Sequence, residues 1–267
     1  MPMSERPDGV GREVLYEKHG AHIAVIRLNR PEKKNAVDGA LAAALSHLVG
    51  ETEADPDIRV VVLASSTAGI FCAGADLGEV ACGNGRALFP KEGGFAGIVD
   101  SVRHKPWIAA IDGPALAGGC EIALCCDMIV ATDTTRFGLP EVKRGLFAAA
   151  GGVQRLPRAL PRNIALEMIA TGEPLDAARA YAFGLINHLV AAHELLVTAL
   201  RLAETIAGNA PISVVESLKL ARIASEHKDA EMSALAAATA RVVMKTEDSR
   251  EGPRAFVEKR APVWQGR

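Results

Sequence analysis

Two glutamates and two stretches of small residues have the types and spacing to do chemistry. The first stretch is Phe71-Cys72-Ala73-Gly74-Ala75-Asp76-Leu77, and the second runs Gly113-Pro114-Ala115-Leu116-Ala117-Gly118-Gly119-Cys120-Glu121. Each follows a short apolar run that reads as a buried strand, Val60–Ala64 and Ile108–Ile111, and the second leads into a helix. Unencumbered backbone N–H groups therefore stand at two strand ends. The first N–H groups of a helix lack internal acceptors and lie at the positive end of its dipole. Two such donors meeting at one point would form an oxyanion hole for charge developing on a carbonyl oxygen. The same glycines could equally serve only tight strand–helix packing. Glu121 follows Gly118 by one helical turn and sits between Cys120 and Ile122, where a carboxylate is costly unless paired or used. Glu141 follows Phe137-Gly138-Leu139-Pro140, a turn whose proline holds Leu139 extended. Two carboxyls at one site suit proton transfer in both directions of a reaction, whereas each alone could be a salt bridge or a helix cap.

The elements that must position these groups alternate between strand and helix in the first half of the chain. His22–Leu28 reads as a strand, and Asn29–Asn35 as a turn around Pro31. Asp38 can cap a helix over 39–53, with Leu41, Leu45, Leu48 and Val49 on one face. Met128–Ala131 reads as another buried strand, and Gly118–Cys126 as a short apolar helix. The glycine-rich stretch over 78–98 reads as a short, mobile loop. Beyond residue 160 helices predominate: Pro161 to Ala170, a helix capped by Asp176 and stopped by Gly184, then 192–208, 212–226, 229–245 and 250–260, with one strand at Ile186–Val190. The last helices lack a dense aromatic core and call for a partner surface.

Composition narrows the classes. The 267 residues include 30 Lys and Arg against 32 Asp and Glu, a net charge of −2 that argues against a nucleic-acid or membrane-surface binder. Aromatic residues make up only 4%, beside 25 glycines, so recognition by backbone groups is favoured over aromatic stacking. No apolar run is long enough to span a bilayer, and the Met1–Gly11 segment is polar without the features of a secretion or import signal, so a cytoplasmic protein is expected. The five cysteines include no C-x-x-C pair, so neither a disulfide framework nor a metal site is expected. Gly83-Asn84-Gly85 lacks the third glycine of a dinucleotide fingerprint, and no serine-hydrolase elbow or phosphate-binding Gly-Lys-Ser/Thr loop occurs.

Taken together, LNRPEKKNA (28–36), FCAGADL (71–77), GPALAGGCEIAL (113–124), FGLPEVKRGL with AGGVQRLPR (137–158) and the tail EGPRAFVEKRAPVWQGR (251–267) resemble the enoyl-CoA hydratase (crotonase) superfamily, in order and over essentially the whole chain. The resemblance implies an α/β fold: a spiral of ββα turns over 1–195, followed by a C-terminal helical trimerisation region over 196–267, assembled as a homotrimer or a dimer of trimers. It implies oxyanion-hole N–H groups on Ala75 and Gly118, and the two hydratase glutamates at Glu121 and Glu141. Coenzyme A, part of the acyl-CoA substrate rather than a separate cofactor, would meet Lys33, Lys34, Ala73, Asp76, Leu77 and Gly119. Phe256 and Lys259 match a pair that closes over the CoA, often from a neighbouring subunit. The implied reaction is reversible addition of water to a trans-2-enoyl-CoA.

Two positions depart from the hydratase pattern. Gly78 stands where a lysine often follows, and Ala149 where a glycine helps to position water. Gly93–Gly97, Leu139-Pro140-Glu141 and the ending Pro262–Arg267 look instead like carnitinyl-CoA dehydratase, which keeps both glutamates and whose substrate carries a quaternary ammonium. For such a group the loop offers Phe89 and Phe95 but no Trp or Tyr. A catalytically idle acyl-CoA binder would be expected to have lost Glu121 or Glu141. An RNA-binding relative would need a lysine-rich helix, and the 39–53 segment has no Lys or Arg.

Overall fold

The computed structural model describes residues 11–267; the polar Met1–Val10 stretch, read above for targeting signals, lies outside the described residues. Its strands are β1 (Val14–His19), β2 (Ile23–Leu28), β3 (Val60–Ser65), β4 (Trp107–Ile111), β5 (Pro114–Leu116), β6 (Met128–Thr132), β7 (Arg136–Gly138), β8 (Leu175–Asp176) and β9 (His188–Val190). Its α-helices are α1 (Gly39–Ala54), α2 (Leu77–Ala81), α3 (Gly118–Leu124), α4 (Gly152–Ala159), α5 (Arg162–Thr171), α6 (Ala177–Ala182), α7 (Leu195–Ala207), α8 (Pro211–Ile223), α9 (Asp229–Val243) and α10 (Asp248–Glu258).

One sheet has the order β1-β2-β3-β4-β6-β9, with β1 antiparallel to β2 and every other pair parallel. The second, β5-β7-β8, is extended by a bridge between Cys72 and Ala115. The chain therefore spirals. β3 leads to the Cys72 bridge and α2, β4 to β5 and α3, and β6 to β7 and α4. Each turn adds a strand to the large sheet, an extended segment to the small one, and a helix. This is the expected ββα spiral.

Both faces of the large sheet are covered, which is why its strands read as unbroken apolar runs rather than alternating ones. Ala24, Ile26, Leu28, Val61 and Leu63 face the core shared with α1, while Ile23, Val25, Val60 and Val62 face Leu195, Ala199, Ala203 and Ala207 of α7. The four-residue spacing on α7 is one helical stripe. Asp38 caps α1 by accepting the Leu41 N–H at 2.8 Å, and Leu41, Leu45 and Leu48 are fully buried. Each such leucine contributes about 1.5–3 kcal/mol by leaving water. α8 and α9 bury no residue in the single chain, and Leu235, Val242 and Met244 lie exposed on and just beyond α9.

Six elements escape the sequence reading, among them the short helices α2 and α4. β1 runs from Val14-Leu15-Tyr16 into Glu17-Lys18-His19 without alternation, and β5, β7 and β8 have only two or three residues each, too few for periodicity to register. A correction concerns the expected mobile loop. Phe95–Val99 is buried, the Asp100 N–H reaches the Gly93 carbonyl at 2.9 Å, and Ser46 on α1 donates to the Glu92 carbonyl at 3.0 Å. Gly97, at φ 69°, lies so close to α1 that a Cβ would come within 2.4 Å of the Ser46 Cβ. The glycines here permit a fixed, left-handed turn against α1, not mobility.

Asn35 fastens the early turn to the rest. It is fully buried at φ 52°, accepts the Arg30 N–H at 2.8 Å, and donates to Ser65 Oγ at 2.9 Å and to the Phe71 carbonyl at 2.8 Å. Replacing Asn35 with Ala strands these partners in a dry interior, so a loss of about 2–4 kcal/mol of unfolding free energy is expected in urea titrations. A loss below about 0.5 kcal/mol would contradict this role.

Candidate active site

The two small-residue stretches meet side by side. The Cys72 N–H donates to the Pro114 carbonyl at 3.2 Å, and the Leu116 N–H donates to the Cys72 carbonyl at 3.0 Å. Gly74 takes φ 95°, and a Cβ there would fall 2.9 Å from the Gly118 nitrogen. Gly119 packs its Cα on the first stretch, where a Cβ would meet the Cys72 carbonyl oxygen at 2.1 Å. Gly119 thus serves close packing. The Gly74 carbonyl accepts from the Val37 N–H and the Asp76 N–H donates to the Val37 carbonyl, so the Ala75 N–H faces away from this bridge. It finds no acceptor among the described residues. Gly118 opens α3, and its N–H also has no acceptor among them. Ala117, just before, sits at φ 51° and ψ −127°, a strained conformation for a residue with a side chain. That torsion sets the plane of the 117–118 peptide and so aims the Gly118 donor.

Glu121 lies on the first turn of α3 and is 3% exposed. Its Oε1 accepts the Gly152 N–H at 2.9 Å, at the start of α4. A Cβ on Gly152 would lie 3.0 Å from this oxygen, so the glycine is what lets backbone and carboxyl approach. Burial pushes the Glu121 carboxyl up to about 7, against the pull of the Gly152 and Ala150 N–H groups and the Arg155 guanidinium, with the charge of Glu141 adding to the rise. A group titrating there can give or take a proton near neutral pH.

Glu141 belongs to a 3-10 turn over Pro140–Arg144. Its Oε2 is buried without a hydrogen-bond partner among the described residues. Burial raises its pKa, partly offset by its own backbone N–H and by Arg144. Buried carboxyl oxygens are seldom left unpaired, so this one can take a hydrogen bond from a group inside the cavity.

Ala75, Gly118, Glu121 and Glu141 line one cavity of ≈ 550 Å³, together with Lys34, Ala73 and Leu77. Its walls also include Val80, Leu88, Phe89 and Phe95 on one side and Leu146, Phe147, Ala149 and Ala150 on the other. Lys34, Glu121, Glu141 and Arg144 are the charged lining residues; all the others are apolar or glycine. Phe95 is 3% exposed, and its ring lies against the Cα of Gly118, where a Cβ would come within 2.4 Å.

Other sequence-predicted positions stand elsewhere. Asp76 caps α2 through the Gly78 N–H at 3.0 Å and pairs with Arg30 at 3.3 Å. Burial would raise its carboxyl, yet these two partners hold it below the usual range. Lys33 is exposed beside the cavity-lining Lys34. Phe256, 85% exposed on α10, and Lys259, which ends that helix at φ 54°, do not line the cavity of their own chain. The roles of Asn35, Gly152 and Arg144 escape the sequence reading, because each depends on a partner or a surface brought near only by folding.

Residues 18–267 match the model of the family described as enoyl-CoA hydratase/isomerase. Over 251 residues the chain is 40% identical to a carnitinyl-CoA dehydratase of Proteus mirabilis, covering 91% of this chain and 94% of that relative. It is 36% identical over 260 residues to a carnitinyl-CoA dehydratase of Salmonella typhi, covering 96% and 99%. The crystal structure of an enoyl-CoA hydratase from Mycobacterium tuberculosis matches with a TM-score of 0.91 at 38% identity, covering 96% of this chain and 100% of that one. That of a carnitinyl-CoA hydratase from Mycobacterium avium matches with a TM-score of 0.75 at 41% identity, covering 97% and 100%.

The raised pKa of Glu121 couples stability to pH. Below the ordinary value of 4.5 the carboxyl is neutral in both folded and unfolded chains, and its burial carries no charge penalty. Between 4.5 and about 7 the unfolded chain ionises first, so stability falls as pH rises, and the full penalty is present above about 7. Replacing Glu121 with Gln should therefore stabilise the protein at pH 8 relative to pH 4.5, by up to about 3 kcal/mol in urea titrations. An equal effect of the substitution at both pH values would rule out the shifted carboxyl.

Proposed function

Since this chain belongs to the enoyl-CoA hydratase/isomerase family, we propose that it adds water reversibly to a trans-2-enoyl-CoA, giving a 3-hydroxyacyl-CoA. The observation that carries this reading is the pairing in one apolar cavity of two carboxyls of raised pKa with two undonated backbone N–H groups.

The thioester oxygen lies between the Ala75 and Gly118 N–H groups. Glu121 takes a proton from water, and the oxygen of that water bonds to the β-carbon. The electron pair of the double bond moves toward the thioester, and its charge gathers on the carbonyl oxygen between the two donors. Each donor contributes about 3–4 kcal/mol to such a transition state. Glu141 delivers a proton to the α-carbon, and the reverse sequence expels water. Lys34, Ala73 and Leu77 border the path of the CoA. The proton chemistry rests on side chains and the CoA carried by the substrate, with no further cofactor. The exposed C-terminal helices are the natural contact of a homotrimer, in which Phe256 and Lys259 of one chain could reach a neighbour's CoA.

A second reading, dehydration of carnitinyl-CoA, is supported by the names of the relatives and by one feature of the wall. Phe89 and Phe95 meet at 5.4 Å between centroids with planes at 60°, and aromatic faces of this kind attract quaternary ammonium groups.

Purified protein should consume the ultraviolet absorbance of a conjugated enoyl thioester such as crotonyl-CoA. Glu141→Gln should lower kcat by about 10²–10⁴-fold while CoA binding, read by calorimetry, persists. Near-normal turnover by that variant would sink the mechanism.

A further inference from the structure

Arg144 is the charged group on the cavity wall that the proposed chemistry does not use. It ends the 3-10 turn that begins at Pro140, three residues after Glu141. With three residues per turn, side chains three apart on a 3-10 helix are eclipsed, so Glu141 and Arg144 leave the same face of the turn. Both line the cavity. The preceding Lys143 is engaged by Glu173 at 2.6 Å, whereas Arg144 has no carboxylate within ion-pair distance among the described residues. Around it stand Leu146, Phe147, Ala149 and Ala150, and the cavity wall holds no neutral polar side chain.

These facts bear on the tail of the acyl group. Arg144 is exposed in the free protein; a substrate that fills the cavity displaces part of the water around its guanidinium, and an apolar tail offers no hydrogen bond in exchange. A carboxylate on the tail replaces that water with two parallel N–H···O bonds, the geometry for which guanidinium is shaped. A quaternary ammonium there meets a like charge. Lys34, which lines the cavity with Ala73 and Ala75, stands with the segment that borders the CoA, while Arg144 stands with Glu141 on the proton-transfer wall.

We propose that Arg144 reads the charge of the acyl tail, and that the preferred substrates are 2-enoyl-CoA thioesters whose acyl group ends in a carboxylate, with cationic tails disfavoured. This rests on the hydratase reading and narrows it. It also separates the two readings above, since the aromatic pair and the guanidinium favour tails of opposite kind.

The test compares kcat/KM for three thioesters: crotonyl-CoA with a neutral tail, glutaconyl-CoA with a terminal carboxylate, and crotonobetainyl-CoA with a trimethylammonium. Wild-type protein should favour glutaconyl-CoA over crotonobetainyl-CoA by about tenfold or more. Arg144→Leu should shrink that ratio by about tenfold, chiefly through a higher KM for glutaconyl-CoA, and Arg144→Lys should restore part of it. A ratio unchanged in Arg144→Leu overturns the inference. So does an equal rise in KM for all three thioesters that disappears with their phosphate-free pantetheine analogues, because Arg144 would then be holding a CoA phosphate. Turnover of crotonyl-CoA by wild-type protein without any preference for tail charge defeats the Arg144 inference alone. Absence of turnover with all three defeats the hydratase reading and the inference with it.

Discussion

The crossing of the 72–75 segment over the 114–119 segment is the constraint on which the rest of the site depends. Here two backbones are joined by main-chain hydrogen bonds and approach so closely that a methyl group on Gly119 would strike the Cys72 carbonyl oxygen at 2.1 Å. Close approach directs the bridging N–H and C=O groups into each other and leaves the Ala75 and Gly118 donors facing outward. The two outward-facing donors and the strand–helix packing are thus one feature. The glycines that a purely structural reading would assign to packing are the same ones that free the donors.

Everything around this crossing holds it at fixed geometry. Asn35 ties the early turn to Ser65 and Phe71 and so sets where the first segment leaves β3. The left-handed turn over 93–97, pinned on α1, lays the Phe95 ring on the Cα of Gly118. The strained Ala117 fixes the peptide that carries the second donor. Donors that are already aligned need no reorganisation when charge develops, and this is where an enzyme gains most from electrostatics.

The same cavity treats its charges unequally. Burial favours the neutral forms of Glu121 and Glu141, yet Glu121 is steadied by two backbone donors and Glu141 by a nearby guanidinium. Two carboxyls with different supports can exchange a proton with a substrate without both being charged at once. The low aromatic and high glycine content seen at the outset acquires a location here, because the cavity-lining residues Ala73, Ala75 and Gly118 present mostly backbone.

The sequence by itself determined the large-sheet strands other than β1, together with α1 and the C-terminal helices. Both glutamates and both small-residue segments that line the cavity were legible as candidates, because each is a local pattern: an apolar run, a cap, a short run of small residues. Only the tertiary structure decided what those patterns face. The small sheet is made of strands of two or three residues that exist only as pairs, so no periodicity could announce it. Glu121 takes its Gly152 donor from 31 positions away, Asn35 reaches Phe71, and Arg144 becomes a cavity residue only because a 3-10 turn eclipses it with Glu141. The 93–97 end of the glycine-rich loop that looked mobile is packed down because its backbone lies on α1 at a distance no side chain would permit. Local preference chose the elements; steric fit between distant segments chose the site.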